Sequence, residues 1–173
     1  MSEQPIEAGS PSDGERPAAP GSPMRSLRAR RDAARNKLHT DLAVPRYDPP
    51  VYVRFRPLSQ GEIDAAQKTH EKSRDRDRTV IANAGLLANA CLGIFEIDED
   101  GQEVGVGCTD PGADWPRFDK DFSEQVSDVP LTRASDIVRA LYFTDGDVIA
   151  TAARLTEWSG YNTEQLERAD RGN

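Results

Sequence analysis

The order of apolar and polar positions divides the chain into stretches of different period. Residues 1–23 have no apolar period: Pro5, Pro11, Pro17, Pro20 and Pro23 alternate with Gly, Ser and Ala. Proline withholds an N–H from helix and sheet, and nothing here offsets the entropy of ordering. The stretch is expected to be a disordered tail. Residues 24–42 are rich in helix formers. Leu27, Ala34, Leu38 and Leu42 make a thin apolar stripe, interrupted by Arg31. This predicts a basic amphipathic helical arm over 24–44. Such a helix is marginal alone and better ordered against a partner or the body of the protein. Val44-Pro45 and Asp48-Pro49-Pro50 break it.

The period then changes to two. Val51, Val53 and Phe55 face one way and Tyr52, Arg54 and Arg56 the other, a half-buried strand stopped by Pro57. A helix follows. Ser59 is its N-cap and Glu62 completes a capping box, with Leu58 and Ile63 placed as a hydrophobic staple. The charged run 71–78 reads as a solvated helix face or short loop. Val80, Ala84, Leu87, Cys91 and Ile94, at steps of four, three, four and three, form the clearest core stripe of the chain. On this reading Cys91 is a helical core residue.

After Ile94, Phe95 and Ile97 comes Asp98-Glu99-Asp100-Gly101, then Val104 and Val106. Asp-Gly favours a type I′ turn, so a small hairpin is expected. Residues 107–129 read as a long loop with a short turn near Trp115 and Phe118. Thr132 is placed to cap a helix carrying Ile137, Val138, Leu141 and Tyr142. Thr144, with Asp147 three residues on, caps the next, with Phe143 and Val148 in staple positions and Gly160 as its C′ stop. Asn162 or Thr163 begins a last short helix through Leu166. The pattern therefore predicts an α+β fold. It is a mostly helical small domain over 45–167 with a short strand and a hairpin, preceded by a disordered N-terminal arm and followed by a frayed tail over 168–173.

Composition sharpens this. Of 173 residues only 36% are hydrophobic and 6% aromatic, so the core is small. The net charge is -8, unevenly spread. Residues 25–46 hold seven bases against Asp32 and Asp41, while 47–173 sum to -10. A basic segment on an acidic body suits a nucleic-acid arm or a docking segment for an acidic surface. No run of about 18 apolar residues is present to cross a membrane. The N-terminus has neither the basic nor the apolar region of a secretory signal. The two cysteines, Cys91 and Cys108, then read as reduced thiols in an intracellular protein.

Candidate chemistry is thin. Glu96, Asp98, Asp100 and Gly101 match part of a calcium loop, but the position that needs a bidentate carboxylate is Gly107. Cys91, Cys108, His39 and His70 lack the spacing of a zinc site. No nucleophile lies beside a positioned base in the sequence. Residues 132–159 read as helix–turn–helix, yet the second helix offers Arg154 against Asp145, Asp147 and Glu157, which phosphates would repel. The expectation is a non-enzymatic protein with no cofactor and no metal.

A family pattern lies in the order KLHTDLAVPRYD, VYVRFRPLSQGEIDAA, VIANAGLLANACLGIFEID and VRALYFTDGDVIATAARLTEWSGY. Over roughly residues 30–165 the chain resembles the tail assembly chaperones of long-tailed actinobacterial phages. The resemblance rests on the strand leading to Arg56-Pro57-Leu58 and a capped acidic helix, and on Glu157-Trp158-Ser159-Gly160-Tyr161. It implies a protein that binds the tape-measure protein, keeps it soluble and promotes tail-tube assembly in the host cytoplasm. Such a protein is absent from the mature virion and often exists also in a frameshift-extended form. The basic arm, through Leu27, Arg28, Arg31, Arg35, Leu38 and Leu42, is the candidate partner-binding segment. Two alternatives stand beside this. One is a structural virion protein, either a head–tail connector or a minor tail protein. The other is a nucleic-acid-binding regulator.

Overall fold

A computed structural model of the chain describes residues 23–161 apart from positions 73, 75 and 111. Of the tail expected over 1–23, residues 1–22 lie outside the described residues, as do the last helix through Leu166 and the frayed C-terminus, while Pro23 opens a helix. The fold is α+β, with six helices and one four-stranded antiparallel sheet among the described residues. The chain divides after Lys37 into two units. The first contains one described helix, α1 (Pro23–Lys37). The second, from Leu38 onward, holds β1 (Thr40–Ala43), β2 (Val51–Phe55), α2 (Gln60–Lys72), α3 (Arg78–Ala90), β3 (Cys91–Ile97), β4 (Glu103–Gly105), α4 (Lys120–Val126), α5 (Ala134–Leu141) and α6 (Asp145–Trp158).

The first correction falls on the arm. Its helix ends at Lys37, and Thr40–Ala43 is an edge strand, so the body begins at Leu38 rather than at residue 45. Leu42 pairs with Val53 and packs against the core. Alternation explains this: Thr40 and Leu42 turn to the core side while Asp41 and Ala43 take the other face. Four residues are too few for a helical and a strand pattern to be told apart in sequence.

The sheet runs in the order β1-β2-β3-β4. Val51, Val53 and Phe55 are buried on one face with Ile94, as the alternation in β2 predicts. Beneath them α3 packs against α2, α5 and α6. Leu87, Ile137, Val138, Val148 and Leu155 join the strand residues in one core cluster. Burying each such side chain removes it from water at about 1.5–3 kcal/mol.

The second correction concerns α3. The helix stops at Ala90 and passes directly into β3, so Cys91 and Ile94 are strand residues. Both are nevertheless buried. Phe55 pairs with Cys91 and Arg54 with Gly93, so Leu92 is an extra residue in β3. This bulge keeps residues three apart on one face and thereby carries a helical period into a strand. The core role of Cys91 stands; its helical setting does not.

The β3–β4 hairpin forms as expected, with a different turn. Gly101 has φ 78 while Asp100 does not have positive φ, so the turn is not type I′. Gly101 N–H donates to the Asp98 carbonyl at 3.0 Å and Asp98 N–H to the Gln102 carbonyl at 3.0 Å, closing a three-residue loop. The Asp98 carboxylate accepts from the N–H of Asp100 and of Gln102. That carboxylate shapes the turn.

The expected long loop contains α4, which sequence reading did not resolve. The Asp119 carboxylate caps it by accepting from Phe122 N–H at 3.0 Å. Thr132 is not a cap: α5 begins after Arg133 without a side-chain cap. Thr144 does cap α6, accepting from Asp147 N–H and donating to the Asp147 carboxylate at 2.7 Å. The staple there is incomplete, because Phe143 is 60% exposed and lies tilted against Tyr47 instead. Gly160 (φ 90) ends α6 as expected. Tyr161 N–H reaches Thr156 C=O and Gly160 N–H reaches Glu157 C=O, the paired bonds of a Schellman stop.

Candidate functional site: a basic helix and an arginine-centred sheet face

Two surfaces carry features that a partner could read. The first is α1. Leu27 is 65% exposed, and Arg28, Arg31 and Arg35 are exposed along the same helix. Their spacing of three and four places the three arginines on one face. Arg35 and Lys37 occupy the last turn, where the helix dipole favours cations. Leu38 is 52% exposed just past the helix end, and Leu42 is in β1. The six candidate residues are therefore not one surface. Four lie on α1, one follows it, and one supports the sheet.

The second surface is the sheet face turned away from the helices. Here Arg54, an outward position of β2, lies across from Gly93 of β3. The missing side chain at Gly93 lets Trp115 come in against the strand; a Cβ there would sit 2.7 Å from Trp115 Cβ. Trp115 stacks on Phe95 with centroids 4.5 Å apart, and Phe95 on Tyr52 at 5.4 Å. The Arg54 guanidinium lies over Phe95 at 5.1 Å and over Trp115 at 4.8 Å. It donates to both carboxylate oxygens of Asp41, at 2.7 and 2.8 Å, and to Glu103 at 2.8 Å. Its pKa is pushed up, foremost by the hydrogen bond to Asp41. One side chain thus joins both edge strands and the segment that crosses the sheet. Beside it lies an open groove of about 580 Å³ that Arg54 lines together with Leu92, Ala113, Asp114, Trp115, Arg117 and Asp119.

Sequence reading put Arg54 on the outward side of β2 but not its partners. The signal was faint: a glycine inside an apolar strand marks close approach by another group. Nothing local named Trp115 as that group.

Arg56, just past the end of β2, does comparable work. It donates to both Glu62 oxygens, at 3.0 and 2.6 Å, and to the Asn89 carbonyl at 2.9 Å. The guanidinium therefore meets the last turn of α3, where carbonyls lack helical partners. The Arg56 hydrogen bond, with further bonds from Ser59, outweighs burial and lowers the Glu62 pKa from 4.5 to about 2.

The remaining reactive groups are placed for packing. Burial pushes the Cys91 thiol up to about 12, far from a thiolate at neutral pH. Tyr142 is buried, with its pKa raised by desolvation; its hydroxyl lies near Thr151 without a well-formed hydrogen bond. A ring nitrogen of His70 is 3.1 Å from Thr79 Oγ1, joining α2 to α3. In α5 and α6, Arg139 is tied to Asp145 and Asp77 rather than free.

No family model, curated protein or solved structure matches the chain.

Proposed function

We propose that this protein is a tail assembly chaperone of a long-tailed phage. It binds the tape-measure protein in the host cytoplasm, keeps it soluble and promotes tail-tube assembly without catalysis. The observation that carries the reading is α1: an amphipathic basic helix whose Leu27, Arg28, Arg31 and Arg35 are exposed, joined to a compact acidic body. A helix of 15 residues gains much of its stability from what it packs against. Helix-in-groove recognition uses such anchors at i, i+3, i+4 and i+7. The acidic exterior of the body suits a protein that must stay dissolved while holding an aggregation-prone partner. The strand, Arg56-Pro57-Leu58 and capped helix that underlie the family resemblance are knit together by the Arg56–Glu62 pair.

The test is co-expression with the long tape-measure protein of the same genome, followed by solubility and pull-down assays. The proposal expects the partner to become soluble and to co-purify. Arg28→Glu, Arg31→Glu and Arg35→Glu together should abolish both while leaving the body folded. A partner that stays insoluble, or this chain found in fixed copy number in purified particles, would instead favour a structural virion protein.

A further inference from the structure

The arm and the body are oppositely charged, and the body's charge is concentrated. α1 carries six bases against Asp32. Residues 38–173 carry 15 bases against 25 acids. Within that body, residues 96–124 alone hold ten acids against Arg117 and Lys120. Eight of the ten are exposed, and the other two are half-buried. Glu99, Asp121 and Glu124 make no ion pair among the described residues, nor do Arg28, Arg31 and Arg35. This acidic segment includes β4, one edge of the sheet. The arm joins the body at β1, the other edge, three strand spacings or about 14 Å away.

We propose that α1 of one copy docks on the acidic segment, residues 96–124, of a second copy. Arg28, Arg31 and Arg35 face the carboxylates of that segment, and Leu27 lies against Leu92 and Trp115 in the groove that Asp114 and Asp119 also line. The contact is heterologous, arm to body, so it adds copies head to tail unless the rotation closes a ring. Its regulatory sense rests on the reading of α1 as the partner-binding helix: self-association covers that helix until a client displaces it. Charge steers such an encounter and makes it sensitive to salt.

Sedimentation velocity of the full chain tests this, over a concentration series in about 0.1 M and about 1 M NaCl, between which the Debye length falls from about 10 Å to about 3 Å. The expected result is concentration-dependent association in low salt that is lost in high salt. R28E/R31E/R35E and, separately, E99K/D121K/E124K should each weaken it about tenfold or more. Circular dichroism checks that both variants are folded. An equimolar mixture of the two should recover association, because each arm then meets a body of opposite charge. A chain that stays monomeric at every concentration in low salt overturns the proposal. So does association that survives both reversals. If the chain is monomeric yet solubilises the tape-measure protein, this inference fails and the functional reading stands. If it associates as described yet rescues no partner, the docking stands and the functional reading fails.

Discussion

Glu62 accepts from four donors at once: the Ser59 hydroxyl and N–H, and both ends of the Arg56 fork. Replacing it with Gln keeps the size and removes the charge, so Glu62→Gln should lower stability by about 1 kcal/mol at pH 7. The folded-state pKa is depressed from 4.5 to about 2, so this contribution is fully present above about pH 4.5 and is lost as pH falls toward 2. Urea unfolding should therefore show the gap between wild type and variant closing over that window, while a gap unchanged by pH would exclude the ion pair as its source. At Gly93 the constraint is steric. Gly93→Ala drives a Cβ into Trp115, and overpacking of this kind costs about 1–3 kcal/mol. The emission of Trp115, isolated in a Trp158→Phe background, should shift as the ring is displaced. These residues also divide what the sequence revealed from what it hid. The Ser59–Glu62 and Thr144–Asp147 caps were legible because both partners lie within one turn. The Arg54 cluster was not, because Asp41, Phe95, Glu103 and Trp115 come from four separate stretches that meet only after the sheet forms.

Elements succeeded or failed as readings for the same reason of range. β2 and α2 were plain in the pattern because a two-residue period gives way to a capped helix across Pro57. The α3–β3 junction misled because no loop separates them and the bulge at Leu92 preserves a spacing of three. α4 was hidden by its length of seven residues and the prolines before it. β1 was absorbed into the arm, and that error is directly testable. Since Leu42 packs against the core, Leu42→Asp should destabilise the body by about 2 kcal/mol or more. Leu27→Asp, on an exposed helix face, should change stability by no more than about 0.5 kcal/mol. Equal effects in chemical denaturation would place the two leucines in the same environment, against the assignment of Leu42 to the sheet.

At the scale of the whole body, one core cluster draws residues from β2, β3, α2, α3, α4, α5 and α6. Shared burial of this kind makes unfolding cooperative. Trp115 emission and far-UV ellipticity should then fall at the same urea midpoint, whereas an earlier loss of the Trp115 signal would show the outer sheet face opening by itself. The domain's existence and mixed class could be read from periodicity and charge; its boundary at Leu38 could not, since it depends on a pairing with β2. The guanidinium that bridges both sheet edges has one more consequence, and it is kinetic. Its partners span residues 41 to 115, so they cannot gather until β1, β2, β3 and β4 are already in register. Interactions made after the rate-limiting step leave the speed of folding almost untouched and act on the escape from the native state. Arg54 is thus less a nucleus than a latch: without it the body should fold about as fast and come apart sooner.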